Sequence, residues 1–251
     1  MWKGTSCSKK YLERPRPSSP LLKHILLQCY VRAVTDPEKL NQYPPFSPEV
    51  YGETSFELVE RMISKINWHE NGVFIDLGSG VGQVVLQVAA SVPHLRMAYG
   101  VERADLPSAY AKAMDQQFRF WMSWYGKSYA EYQLKKDDFL TPEWGEVITD
   151  ADVVFANNFA FGPQVNHELK QRLQNLKEGS KIVCSLSLCP SKFEITERNL
   201  SEIAAILRVE ELSINANTPA VSWTGRDFSF YIHTVDRTML EVSVPVNPKE
   251  L

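Results

Sequence analysis

The chain has 251 residues and a mass of 28.6 kDa, with 44% hydrophobic and 23% charged side chains, enough to bury one full α/β core and an accessory segment. A formal net charge of −3 and a pI near 6.0 exclude a protein that grips a polyanion with its whole surface. No apolar run approaches the ~20 residues of a membrane span, and no secretory signal is expected from the N-terminus.

Charge is distributed unevenly. Residues 1–32 carry seven basic side chains (Lys3, Lys9, Lys10, Arg14, Arg16, Lys23 and Arg32) against Glu13 alone, a net +6. Residues 1–20, with Pro15, Pro17 and Pro20 among Lys, Arg and Ser, read as a flexible basic arm, suited equally to contact with DNA and to plain solvation as a loose terminus. The four cysteines, 7, 29, 184 and 189, form no C-x-x-C pair and the five histidines are scattered. Free thiols and no metal are therefore expected.

Leu21–Thr35 is helical in period, and Asp36-Pro37 opens a further short turn of helix. The stretch 41–48, with Pro44, Pro45 and Pro48, is a loop before the catalytic region and reads as a ligand lid. Thr54–Ile66 repeats apolar residues at helical spacing and leads through Asn71-Gly72 into a strand. Residues 21–66 thus read as a helical N-terminal segment, 67–241 as the catalytic domain and 242–251 as a tail.

Val73-Phe74-Ile75-Asp76-Leu77 reads as a buried strand, Gly78-Ser79-Gly80-Val81-Gly82 as a tight turn, and Gln83–Ala90 as a helix start. The third glycine falls one place early for a dinucleotide fingerprint. Asp76 at the strand end would also face a pyrophosphate poorly. A carboxylate there suits a ligand with a cationic amino-acid end, such as S-adenosylmethionine. The second strand, Met97–Glu102, ends on an acidic residue placed to accept both ribose hydroxyls. Pro107–Tyr125 reads as a long helix whose aromatic half packs on the sheet.

A third strand, Tyr129–Lys135, precedes Asp138-Phe139, a carboxylate for an adenine amino group and a flat face for its ring. The fourth, Ala151–Ala156, ends in Asn157-Asn158-Phe159-Ala160-Phe161-Gly162, at the reacting end of an open sheet. Residues 164–176 read as helix and Lys181–Ser185 as the fifth strand. Arg208–Ile214 and Phe228–Asp236 read as a closing antiparallel pair. No Ser-His-Asp, Cys-His or P-loop arrangement is present. That suits methyl transfer, where the donor is already activated and the protein aligns an uncharged amine. Phe46, Asn157, Phe161, Trp223 and Phe230 are placed around the amine's slot, although Trp223 and Phe230 equally suit plain core packing.

Four motifs together resemble one family. They are Pro45-Phe46-Ser47-Pro48-Glu49-Val50-Tyr51-Gly52-Glu53-Thr54, Asp76-Leu77-Gly78-Ser79-Gly80-Val81-Gly82-Gln83, Asn157-Asn158-Phe159-Ala160-Phe161-Gly162 and Val221-Ser222-Trp223-Thr224-Gly225. Over about residues 20–240 the chain resembles the disruptor-of-telomeric-silencing (Dot1-like) family, non-SET methyltransferases of a lysine on the globular core of histone H3. The resemblance implies an α/β, class I (Rossmann-like) fold with a seven-stranded mixed sheet and a small helical N-terminal subdomain. It implies S-adenosylmethionine as donor, stepwise methylation and a nuclear, nucleosomal substrate.

By matching position it places Thr54, Asp76, Gly78, Gln83, Glu102, Asp138, Phe139 and Asn157 at the cofactor, with Gly80, Arg103 and Phe161 beside them. The lysine channel would comprise Phe46, Asn157, Trp223, Ser229 and Phe230, and Arg198 would meet the acidic patch of the nucleosome. Phe230 departs from the family, whose vertebrate members carry Tyr there, and Arg103 replaces Lys. The resemblance also implies a strongly basic flanking segment, which 242–251 do not supply: either the arm at 1–32 partly substitutes, the chain is a fragment, or nucleosome binding is weak. A monomer is expected. A non-histone acceptor, or a cofactor-binding scaffold without turnover, remains an alternative.

Overall fold

A computed structural model describes residues 14–41, 54–212, 230–238 and 240. The lid expected around Phe46, the positions of Trp223 and Ser229, and the tail lie outside these residues.

The described strands form one mixed sheet, in which β1, Val73–Leu77, is an inner strand buried at every position. A strand covered on both faces reads as a continuous apolar run, which is how β1 reads. β1 pairs in parallel with β2 (Met97–Glu102) on one side and with β4 (Val153–Ala156) on the other. β3 (Tyr132–Lys136) continues beyond β2, and β5 (Lys181–Cys184) beyond β4, both parallel. Chain order therefore reverses between β1 and β4, and a crevice opens at their carboxyl ends.

The expected antiparallel pair is present as β6 (Leu207–Leu212) and β7 (Phe230–Val235), but the later strand is the inner one. Its sequence, Phe-Tyr-Ile-His-Thr-Val, suits the inside. β6 buries only its two ends and shows Arg208–Glu211 to solvent, as an edge strand does.

Alternation along β1 divides the core into two layers. Phe74 belongs to the layer that holds the buried faces of α1 (Ser19–Ala33), α2 (Phe56–Lys65), α3 (Gln83–Ser91) and α4 (Asp105–Trp124). Ile75 and Leu77 belong to the other layer, with Ile148 of the short α5 (Gly145–Thr149) and Leu169 and Leu173 of α6 (Gly162–Leu173). Each such side chain contributes about 1.5–3 kcal/mol by leaving water. α2 starts where Ser55 Oγ accepts the Leu58 N–H at 3.2 Å, satisfying an end donor. On the buried face of α3, Gln87 Nε2 donates to Phe56 O at 2.9 Å, so the start of α2 is tied to the helix that follows the glycine turn.

Two expectations need correction. The aromatic half of α4 lies on the sheet only in part, through Phe118, whose ring meets Tyr132 of β3 at 5.7 Å between centroids. Met114, Phe118 and Met122, four residues apart, take the inner face, whereas Phe120 and Trp124 fall on the outer side and are 54% and 72% exposed. Nor is the whole of residues 1–20 a loose arm. Pro15 O accepts the Ser128 N–H at 2.8 Å, Arg14 O accepts from Lys127 Nζ at 2.8 Å, and α1 begins at Ser19 with Pro20 in its first turn. The described cysteines 29, 184 and 189 are free thiols, as expected.

Candidate functional site

The glycine turn takes its shape from backbone that only glycine adopts readily. Gly78 and Gly82 have φ of +82° and +84°. A Cβ on Gly78 would stand 3.0 Å from Phe161 Cζ, and one on Gly82 2.7 Å from Leu134 Cδ1. The turn is fastened to β2: Gly78 and Ser79 both donate to Val101 O, at 2.8 and 3.0 Å. Gly80 N donates to Glu102 Oε2 at 2.9 Å, while Ala104 N donates to Oε1 at 2.7 Å. Glu102 is thereby oriented by backbone on both sides. Gly82 caps α3, whose first residue, Gln83, is half-buried beside the turn.

Asp76 sits deepest. It is 2% exposed and stands opposite Gly100 of β2 and Phe155 of β4. Its Oδ1 accepts no hydrogen bond among the described residues, an exception for a buried carboxylate. Burial, and then the charge of Glu102, holds its carboxyl well above the usual range. Glu102 is also raised, chiefly by burial, against the lowering pull of the N–H groups of Ala104 and Gly80. Two buried carboxylates with raised pKa values at one crevice favour a ligand that brings positive charge and hydrogen-bond donors. An amino-acid ammonium, a sulfonium and ribose hydroxyls meet that requirement, so the residues fit S-adenosylmethionine.

On the far side of the crevice, Asp138 Oδ1 accepts the Leu140 N–H at 2.9 Å and Oδ2 lies 3.8 Å from Arg103. The ring of Phe139 meets that of Phe161 at 5.6 Å between centroids, tilted by 34°. Phe161 in turn touches the Gly78 backbone position, so the expected residues Gly78, Phe139 and Phe161 come together as one surface. Asp137, passed over in the sequence, braces this loop: its carboxylate accepts from Asp138 N at 2.8 Å and from Trp144 Nε1 at 3.0 Å.

Asn157 follows β4 directly, half-buried. The next residue, Asn158, was not expected to matter, yet it is 1% exposed and organises the loop. Its Oδ1 accepts the Leu186 N–H at 2.8 Å, and its Nδ2 donates to Asn166 Oδ1 at 2.9 Å. Asn166 returns a bond to Asn158 O at 3.2 Å and another to Gly162 O at 2.9 Å. His233, on β7, accepts the Leu188 N–H at its Nε2, 3.1 Å away. Burial lowers the pKa of this imidazole to about 4. Two adjacent amides at a strand end and a histidine inside a strand were the available signals for this network.

Phe230, expected at the lysine channel, is fully buried and stacked on Phe155 at 5.8 Å and 14°. Its described surroundings are core, the plainer of the two readings of this position. Thr54 lies half-buried immediately before the α2 cap. Arg198 is exposed on a turn in which Asn199 Oδ1 accepts the Thr196 N–H at 2.7 Å and Asn199 Nδ2 donates to Glu194 O at 2.9 Å.

Comparison with known proteins bears on the fold and on the family. Two solved structures share the fold. A protein of Listeria monocytogenes described as a class I S-adenosylmethionine-dependent methyltransferase superposes with a TM-score of 0.51 at 13% identity, over 93% of this chain and 72% of the other. An O-methyltransferase from Bacillus cereus in complex with SAH gives 0.50 at 9%, over 92% and 98%. At such identities the likeness is one of fold alone.

Sequence relatives are nearer. A Drosophila melanogaster histone-lysine N-methyltransferase, H3 lysine-79 specific, is 52% identical over 240 residues, which is 95% of this chain and 13% of that protein. The Caenorhabditis elegans protein of the same name is 38% identical over 248 residues, 95% of this chain and 26% of its own length. The chain thus spans well under half of these relatives. The family model described as Histone methylation protein DOT1 matches residues 30–235, most of the sequence, and the chain belongs to the DOT1 family.

Proposed function

We propose that the chain is an S-adenosylmethionine-dependent protein-lysine N-methyltransferase whose substrate is a lysine on the globular core of histone H3, the lysine-79-type site, in nucleosomes. The observation that carries this reading is the buried Asp76 carboxylate, raised in pKa and with an oxygen that accepts nothing among the described residues, at the mouth of the glycine turn.

Asp76 receives the ammonium of the donor's amino-acid end. Glu102, already held by two backbone N–H groups, accepts the ribose hydroxyls. Asp138 takes the adenine amino group, and Phe139 and Phe161 supply apolar faces for the ring. Gly78 and Gly80 let the backbone come close, while Thr54, Gln83 and Arg103 border the same crevice. Bound there, S-adenosylmethionine supplies an activated methyl group on a sulfonium.

The chain's remaining task is to present a neutral amine in line with that group. A lysine amine has a pKa near 10.4 in water. A dry slot disfavours its charged form and so releases its proton before transfer. Asn157 borders this slot and orients the amine. Phe46, Trp223 and Ser229 are assigned to its walls through the family resemblance, and Phe230 to the wall behind, packed on Phe155. Arg198 is the contact to the acidic patch of the nucleosome, and the basic residues before α1 are a contact to DNA. Such a protein acts in the nucleus.

Support comes from family membership and from the names of the relatives. The test is incubation of the protein and radiolabelled cofactor with nucleosomes and free H3, followed by mass-spectrometric mapping of the acceptor. Methyl groups on a core lysine of H3 are expected; label on small amines but never on nucleosomes would sink the reading.

A further inference from the structure

We infer that Phe159 and Leu186 form an apolar seat on which the folded surface of the protein substrate rests, beside the slot that takes its lysine. The inference rests on the methyltransferase reading of the site. Both side chains are large, apolar and exposed, at 50% and 38%. The other large apolar side chains exposed among the described residues are Leu27 and Val31 on α1, Phe120 and Trp124 on α4, and Val209 on the edge strand. Phe159 and Leu186 alone follow the carboxyl ends of β4 and β5, where the crevice opens.

Their exposure is built in. Phe159 N donates to Ser185 Oγ at 3.0 Å, and Leu186 N donates to Asn158 Oδ1 at 2.8 Å. The Asn158 amide also donates back to Leu186 O at 3.4 Å, so it stands in for a neighbouring strand and joins the two loops side by side. Two residues on, the bond from Leu188 N to His233 roots the second loop in the sheet. The main chains are thus held by buried polar groups while the side chains face outward. Apolar surface presented on a fixed backbone loses little freedom on docking.

The chemistry also selects the partner. Phe159 lies two residues beyond Asn157, which follows β4 directly, so a body that brings its lysine to Asn157 lays the surface around that lysine on this rim. An apolar rim disfavours a lysine-rich tail, which has little apolar surface to lay on it. It suits the uncharged part of a folded surface around a single lysine, and so explains how the site selects a lysine on a folded body.

Leu186→Asp and Phe159→Ser test this, with Leu186→Ser as a variant that removes apolar area without adding charge. Phe120→Ser, on the outer face of α4, is the control. Steady-state methylation of nucleosomes by the full chain is measured together with calorimetric binding of S-adenosylhomocysteine. KM for nucleosomes is expected to rise about tenfold or more in the seat variants, with kcat within about threefold. Product affinity should stay at the wild-type level, and the control should match wild type throughout. Active wild type with unchanged KM in all seat variants overturns the seat alone, as does loss of product affinity in place of the KM effect. Wild type that labels no nucleosome overturns the functional reading and the seat with it.

Discussion

The Gly80 N–H donates to Glu102 Oε2 at 2.9 Å, so the turn after the first strand is stapled to the end of the second by the same carboxylate that faces the crevice. Glu102 therefore has two tasks. Glu102→Ala leaves the Gly80 and Ala104 N–H groups without their acceptor, at a cost of about 1–3 kcal/mol each where they stay buried. It also removes the acceptor for the ribose. Thermal denaturation should show a lowered Tm, and calorimetry a loss of S-adenosylmethionine affinity on the order of 10²-fold.

Asp76→Asn should separate stability from binding. The wild-type carboxyl is raised by burial and by Glu102. Between the ordinary carboxylate pKa and that raised value, the folded protein holds a proton that the unfolded chain has released. Stability of the ligand-free protein therefore falls as pH rises through this window. The amide cannot ionise, so the variant should have a higher ligand-free Tm than wild type near pH 7, with the gain shrinking toward pH 4. Cofactor affinity should drop by about 10²-fold, since a charge-assisted bond is lost. A lower ligand-free Tm at pH 7 would count against the assignment.

Gly78→Ala tests the close approach at the turn. The residue has φ of +82°, and the added methyl would lie 3.0 Å from the Phe161 ring. Strain of about 1–2 kcal/mol is expected from the backbone alone. Displacement of Phe161 from Gly78 should weaken binding of the adenosyl group as well. Gly78→Arg should abolish binding altogether; retention of wild-type affinity by this variant would refute the placement of the loop.

His233 makes the fold sensitive to acid. Its imidazole, lowered to about 4 by burial, accepts the Leu188 N–H and is neutral in the folded state. Between pH 6.5 and 4 the unfolded chain binds a proton there and the folded one does not, so stability falls as pH falls through that range. The full window is worth about 3 kcal/mol at most. His233→Gln should flatten the difference in unfolding free energy between pH 7 and pH 4.5, read by denaturant titration.

Phe230→Ala should destabilise the protein by about 3–5 kcal/mol, the usual cost of truncating a fully buried aromatic residue. Phe230 is 0% exposed and its ring is stacked on Phe155. A double-mutant cycle with Phe155→Ala should return a coupling of about 0.5–1.5 kcal/mol. Additive losses in chemical denaturation would show that the two rings do not support one another.

The linear order of the chain is enough to find β1, the glycine turn and the acidic ends of the first two strands, because each is a local pattern of period, turn chemistry and charge. Asp76, Gly78, Glu102, Asp138, Phe139 and Asn157 could be marked this way, and the structure gathers them along the carboxyl rim of the sheet. Register is not local, so the insertion of β7 between β5 and β6 could not be read in advance. The same holds for the outer face of α4: its aromatic composition was visible, but which of its faces met the sheet depended on packing.

What the sequence determined by itself is the identity and spacing of the acidic groups, glycines and rings along the crevice, since those reside in short segments. Only the tertiary structure decided that Asp76 is buried with an oxygen that accepts nothing among the described residues, that Asn158 joins two loops distant in sequence, and that Phe230 stacks as core. Burial and hydrogen-bond satisfaction are properties of neighbours brought together by folding, and no stretch of the chain carries them alone.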